Sequence, residues 1–313
     1  MLRALSSELW AIEPGWLPML AAIAQRNTSS PDVEAAREWV KRDHAILAGA
    51  GAQKLAGAYR THVVNGIAIV PITGPIFPRA NMLTEMSGAT SLTIVRNDYR
   101  VALASKEVRA VMLMIDSPGG AVSGIADFAL SVARGSALKE THAFVTGMAA
   151  SAAYWIASSA RRISIDRTAM LGSIGVVAAV EKQVQAGEDG YISIEVVSSN
   201  APNKRPDPQS DDGLNVIRGQ LDALEQIFIA DVARGRRIPG AKVIQDFGRG
   251  GILIGAAAVA VGMADKVEDQ GAAMNALALA ARWPGSASAS TPANSADQRR
   301  ANLMRLAQLR HRR

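Results

Sequence analysis

The sequence predicts an α/β fold, and three observations carry that expectation. From Asn65 onward the texture is one of short β-type runs bounded by turn residues. Several of these runs are followed by a helix-period stretch, the alternation expected of an α/β core. Finally, 49% of the 313 residues are apolar, which is ample for a sizeable core in one large domain or two ordinary ones.

Taken in order, residues 2–57 carry apolar positions at helical spacing, as in Pro31-Asp-Val-Glu-Ala-Ala-Arg-Glu-Trp-Val40, and predict a helical extension. Strands are expected at 66–72, 110–115, 142–146, 163–165, 174–180 and 191–197. Helices are expected at 122–138, 151–160, 213–234 and 253–263. After Trp283 the stretch PGSASASTPANSA has the composition of a flexible linker. Residues 298–310 could then form a short basic amphipathic helix carrying Leu303, Leu306 and Leu309. The domain reading is therefore a helical extension over 1–60, a folded body over 61–282 and a flexible basic tail over 283–313.

Composition narrows the chemistry. The chain has no cysteine, which excludes a disulfide framework, zinc–thiolate and iron–sulfur sites and a cysteine nucleophile, and makes a reduced cytosol the simplest home. The formal charge of +6 is concentrated beyond residue 281, where seven arginines face one acid, Asp297, so the body is neutral. Aromatic residues make up only 4% of the chain. A broad nucleic-acid footprint on the body is not expected, and any anionic partner should meet the tail. Glu8, Glu13 and Pro14 interrupt the N-terminal apolar stretch, so it does not read as a secretory signal. The longest nearly uncharged apolar run, 251–264, is shorter than the roughly 20 residues a membrane helix needs.

Two segments have the residues for catalysis. In Met112-Leu-Met-Ile-Asp-Ser-Pro-Gly-Gly-Ala-Val-Ser-Gly124 a strand runs into adjacent glycines and then a helix, leaving backbone N–H groups of Gly119 and Gly120 as candidate oxyanion donors. A tight turn needing positive φ accounts for the same residues. In Gly147-Met-Ala-Ala-Ser151-Ala-Ala153 small residues surround one hydroxyl and let a peptide backbone approach it, the setting of a nucleophile. A small residue chosen for helix packing is the alternative.

A serine nucleophile needs a base. The four histidines are His44, His62, His142 and His311, and none lies between 142 and 311, which makes a Ser-His-Asp triad awkward. A lysine can serve if an apolar pocket brings its pKa from about 10.4 towards 7, roughly 4 kcal/mol of differential stabilisation. Downstream of Ser151 the lysines are Lys182, Lys204, Lys242 and Lys266. Lys204 follows an expected strand in the loop Ser198-Ser-Asn-Ala-Pro-Asn-Lys-Arg-Pro206, although a Lys-Arg pair in such a loop is commonly solvated surface. Ser136-Ala-Leu-Lys139 is formally S-x-x-K, but S-D-N and K-T-G are absent, which argues against a β-lactamase-like acyl enzyme.

Together these pieces resemble the S49 peptidase family, which includes signal peptide peptidase A and the phage protein C type of capsid-assembly protease. The resemblance runs from about Gly66 to Glu268. It rests on Ile115-Asp-Ser-Pro-Gly-Gly120, Ala150-Ser-Ala-Ala-Tyr-Trp-Ile-Ala157, Leu171-Gly-Ser-Ile-Gly-Val176 and the closing Gly248-Arg-Gly250 to Gly262-Met-Ala-Asp-Lys-Val267. It implies Ser151 as nucleophile, Lys204 as general base, Ser173 as the lysine-orienting hydroxyl, and Gly119 or Gly120 with Ala152 as oxyanion donors. It also implies a Clp/crotonase-like spiral of ββα units, no metal or cofactor, protein substrates bound as extended strands, and a homo-oligomer whose dyad is completed near or across an interface. Signal peptide peptidases commonly have glycines beside the nucleophile and a membrane anchor; this chain has alanines there and no anchor segment. With the segment 74–88 and the N-terminal extension, this favours the phage branch. The resemblance then implies cleavage of scaffold and of capsid or portal proteins during head maturation, in the host cytoplasm or within a procapsid. The rivals are a cytosolic housekeeping peptidase of the signal-peptide-peptidase kind and a scaffold-type protein with a vestigial site. The Clp protease proteolytic subunit shares the two small-residue textures but requires a histidine about 25 residues after its serine, where this chain reads Gly172-Ser-Ile-Gly-Val-Val177.

Overall fold

The computed structural model describes residues 9–13, 51–80, 89–178 and 197–281. Two sheets organise it. The larger has the order β13-β11-β9-β7-β4-β3-β2, with β10 alongside β9 and β14 alongside β10. Its centre is parallel: β4 (Ile67–Thr73) pairs with β7 (Ala110–Ser117), and β7 pairs with β9 (Glu140–Ala150). The first half of β9 pairs with β10 (Arg162–Ile165) and its last residues pair with β11 (Met170–Gly172). β13 (Ile252–Ile254) flanks β11, β14 (Lys266–Val267) flanks β10, and β3 (His62–Val64) with β2 (Gln53–Lys54) closes the other edge.

The central strands read as continuous apolar runs because both faces are covered. On one face α1 (Leu92–Ala104), α2 (Ile125–Gly135) and α3 (Ala152–Ser158) enclose the main core with Val70, Ile72, Val111, Leu113, Ile115 and Val145. On the other face α7 (Gln270–Ala280) packs Ala273 and Leu277 against Ile67, Ile69, Met112, Met114 and Phe144. The alternation of β4 and β7 residues between these clusters is the two-residue period of a strand. Helix α3 is buried along its whole length. It is tied to α4 (Asp211–Arg236) by Trp155, which stacks on Phe228 at 4.3 Å and donates from Nε1 to Asp231 at 2.8 Å. Tyr154 donates to the Met263 carbonyl at 3.0 Å, just beyond α6 (Ala256–Val261).

The smaller sheet has the order β12-β1-β8-β5-β6 and is built from fragments: β1 (Leu9–Ile12), β5 (Ile76–Phe77), β6 (Thr90–Ser91), β8 (Gly119–Ala121) and β12 (Val177–Ala178). Here the sequence expectation is corrected. Residues 9–12 and 53–54 are strands, not parts of a helix, because cross-strand pairing overrides a weak helical period in segments that carry Trp10 and Ile12. The expected helix 253–263 is also corrected: it divides into strand β13 and the six-residue α6 at Gly255, whose φ is +52°. Helix α1, the helix Gly240–Asp246, helix α7 and strands β3, β5, β6, β8, β11 and β14 have no counterpart among the expected elements. The remaining extension, the 283–313 tail, residues 179–196 with most of the strand expected at 191–197, and Lys182 lie outside the described residues.

One buried carboxylate holds the β2–β3 edge to α1. Asp98 is 1% exposed and accepts from the backbone N–H groups of Tyr59, Arg60 and Thr61 at 2.7, 2.7 and 3.0 Å, and from the Thr61 hydroxyl at 3.1 Å. Asp98→Ala removes the acceptor of three N–H donors, one of them on the fully buried Thr61. We expect a loss of about 3 kcal/mol, read as a lower urea midpoint at unchanged m.

Candidate active site

The two segments singled out in the sequence meet at the junction of the two sheets. β7 ends in a bulge between Ile115 and Ser117, where Asp116 accepts the Met148 N–H at 2.9 Å and so fixes the final stretch of β9. Burial raises the Asp116 carboxyl above its usual range, partly offset by that N–H. At the end of β9 the chain turns sharply into α3 through Ser151, whose backbone sits at φ 53°, ψ −120°. A side chain is strained there, and strain of this kind marks sites where a residue is held out for a purpose. The turn is pinned by the Ser151 N–H donating to the Gly172 carbonyl at 2.7 Å. The hydroxyl of Ser151 donates to the Gly175 carbonyl at 3.5 Å, and the residue is completely buried.

Gly119 lies directly against this elbow. A Cβ built on it would meet the Ala11 carbonyl at 2.3 Å, the Ala150 carbonyl at 2.9 Å and the Ala152 nitrogen at 3.0 Å, and its φ is +98°. Only glycine fits. Its N–H is engaged by the Ser117 hydroxyl at 3.2 Å, and that hydroxyl donates to the Gly74 carbonyl at 2.7 Å. Gly120 belongs to strand β8, with its carbon pressed against the Ile76 backbone. Ser173 follows Gly172, is buried, sits at φ 52°, and donates its N–H to the Gly251 carbonyl at 2.8 Å.

Ser151, Ser173, Gly119, Gly120 and Ala152 thus share one neighbourhood. Lys204 stands apart. In the single chain it is exposed, in a one-turn 3₁₀ helix (Pro202–Lys204) ahead of α4, and its N–H donates to the Ala201 carbonyl at 3.1 Å.

The histidine near the start of β9 is excluded by distance. His142 lies nine residues before Ser151 along one extended strand, roughly 30 Å at strand rise. It is held at about 4, first by burial and then by Arg162 and Arg161, against the opposing pull of Asp265 and Glu268; Glu140 also borders it at 3.5 Å. The ring is therefore neutral at pH 7. An unfolded chain takes up this proton below about 6.5 and the folded one only near 4, so the stability it contributes is complete above 6.5 and drains away as pH falls between those values. We expect about 2 kcal/mol to be lost between pH 7 and 5, and His142→Gln to flatten that dependence in urea titrations. Equal pH profiles for the two proteins would contradict this.

Among the described residues there is no group of three or more metal-ligating side chains, and no helix is long and apolar enough to cross a membrane. The sequence reasoning missed two contributors. Ser117 holds the glycine turn, and its signal was its place inside Asp-Ser-Pro-Gly-Gly. The strand Leu9–Ile12 lies across the site, and nothing local in Leu-Trp-Ala-Ile marks it as a strand.

A mixed α/β protein with a strained serine elbow set against a glycine turn is what the fold and site define. Residues 133–283 match the family described as peptidase family S49. The chain's relatives include the capsid assembly protease C of Escherichia phage lambda, 30% identical over 66% of this chain and 47% of the relative. The head-tail preconnector protein GP5 of Enterobacteria phage P21 is 31% identical over 72% of this chain and 46% of that protein. Protease 4 of Haemophilus influenzae is 26% identical over 68% of this chain and 34% of that protein. The chain spans about half the length of the phage relatives it matches.

Proposed function

We propose that this protein is a serine endopeptidase with a Ser151–Lys204 dyad that acts in phage head maturation on scaffold and on coat or portal proteins, in the host cytoplasm or the procapsid. The observation that carries the reading is Ser151 itself, a non-glycine residue at φ 53° between a buried strand and a buried helix, facing a turn that only glycine can make. The likeness to the lambda and P21 proteins supports the phage setting.

In this reading the Ser151 hydroxyl attacks the substrate carbonyl and passes its proton to the Lys204 amine. The amine returns a proton to the leaving nitrogen, and water then releases the acyl group by the reverse route. The N–H groups of Gly120 and Ala152 hold the oxyanion, since the Gly119 N–H is already engaged by Ser117, and Ser173 orients the lysine. No metal or cofactor takes part. The fold is read as a Clp/crotonase-like spiral. β4–β5 leading to α1, and β7–β8 leading to α2, each place one strand in the large sheet, one in the small sheet and then a helix, which supports that reading.

The exposure of Lys204 places a requirement on assembly. A lysine acts as base only when desolvated, so another copy of the chain must cover it. The first two turns of α4 after it bury only Gly213, and Leu214 and Ile227 are exposed along that helix, as expected of a surface that awaits a subunit. Lys204→Arg keeps a long basic side chain that cannot give up its proton. It is expected to lower peptide hydrolysis by about 10³-fold, with the sedimentation coefficient unchanged. Co-expression with scaffold and coat proteins of the same head module, followed by mass spectrometry, tests the function: new termini with wild type and none with Lys204→Arg are expected. Equal processing by both would remove the dyad.

A further inference from the structure

Strand β1 is seated between two others. It runs antiparallel to β8, with Trp10 opposite Ala121, Ala11 opposite Gly120 and Ile12 opposite Gly119. It also runs antiparallel to β12, with Leu9 opposite Ala178 and Trp10 opposite Val177. Two bonds flank the first ladder: Val122 N–H donates to the Leu9 carbonyl at 3.0 Å and Glu13 N–H donates to the Pro118 carbonyl at 2.8 Å. Antiparallel ladders alternate, so Ala11 and Gly120 form the intervening pair that exchanges both hydrogen bonds. The Ala11 carbonyl therefore receives the Gly120 N–H, and it touches the same point beside Gly119 that the Ala152 nitrogen borders.

From this geometry we propose that the cleft between β8 and β12 is the peptide-binding groove, and that residues 9–13 fill it in the register of a substrate, with the Ala11–Ile12 bond facing Ser151. The proposal rests on the reading of Ser151 as nucleophile. Three features besides the pairing point the same way. Continuing the β1–β12 register by two residues sets Ile12 opposite Gly175, whose carbonyl receives the Ser151 hydroxyl, so the bond is bracketed by neighbours of Ser151 on both sides. Side-chain direction is sorted as a specificity site would sort it: the Ala11 methyl enters the main core, in the same cluster as Ala149 and Ala152, where a larger group has no room. Trp10 and Ile12 point to the opposite face, into a cluster with Phe77, Ala89, Ala121 and Val177, and Trp10 meets Phe77 edge-on at 6.0 Å. Finally, Ser151 is fully buried while β1 occupies the cleft beside the Gly119 turn.

The groove thus selects an extended peptide with a small residue before the bond and bulky apolar residues on either side of that residue, and the chain's own segment competes for it. A ligand's apparent affinity falls in proportion to the fraction of time the groove is open. The test uses the full chain carrying Ser151→Ala, so no chemistry intervenes, and a fluorescent peptide of residues 7–15. Adding Trp10→Ala removes the main anchor of β1 and is expected to tighten peptide binding at least ten-fold. A peptide with arginine in place of Ala11 should bind neither protein. Ile12→Ala provides a milder second variant should the tryptophan change prevent folding. Equal peptide affinity with and without the anchor, in folded protein, overturns the proposal. So does equal binding of the arginine peptide. Binding that behaves as expected, in a protein whose wild type hydrolyses nothing, would leave the groove assignment standing and remove the catalytic reading alone.

Discussion

Ser151→Ala is expected to lower peptide hydrolysis by roughly four orders of magnitude or more while leaving the fold intact, because the acyl-transfer route loses its nucleophile and the backbone donors remain. The elbow geometry adds a second, thermodynamic signature. At φ 53°, ψ −120° a Cβ is strained, and glycine relieves that strain where alanine does not. Ser151→Gly should therefore unfold at higher urea than Ser151→Ala, by about 1 kcal/mol, with both inactive. The opposite order would mean that residue 151 adopts helical backbone geometry, where glycine is the poorer residue. Residual hydrolysis in Ser151→Ala within ten-fold of wild type would place the nucleophile elsewhere.

Gly120→Ala is expected to have the largest effect on stability. Its Cβ would lie 1.9 Å from the Ile76 carbonyl oxygen and 2.6 Å from the Ile76 carbonyl carbon and nitrogen, all backbone atoms that no rotamer change can move. Relief requires β5 and β8 to part, which also displaces the turn that carries Gly119. Overpacking against main chain puts the loss at about 4 kcal/mol, above the usual range for a single methyl group. Guanidinium or urea unfolding measures it directly. An unchanged midpoint would mean that the two strands are not paired as described. If the protein still folds, hydrolysis should drop about 100-fold, because the shifted strand carries the Gly120 N–H away from the oxyanion.

The parts of this protein that local chemistry dictates were legible from residue types alone. Strands β4, β7 and β9 appear as apolar runs because both faces of each are covered, and α2, α3 and α4 follow from their helical period. The Gly119–Gly120 turn and the small-residue frame of Ser151 were visible as motifs, since a positive φ and a close backbone approach each demand particular side chains at particular positions. Lys204 was reached through the family resemblance, and its exposure in the single chain leaves its covering to an assembly surface that residue types do not display.

Most of the small sheet was decided by tertiary structure. β5, β6 and β8 are two or three residues long, too short for any period to register, and they exist because edges offered by distant segments pair them; β12 falls inside the strand expected at 174–180. β1 is the clearest case. Leu-Trp-Ala-Ile is compatible with helix or strand, and its choice is made by the unpaired edges of β8 and β12, more than 100 residues away in the chain. What the sequence by itself determined is therefore the α/β core and the small-residue frame of the serine. What the folded chain decided is which segment lies across that serine, because hydrogen-bonding partners so far apart are matched only when the core has brought their edges together.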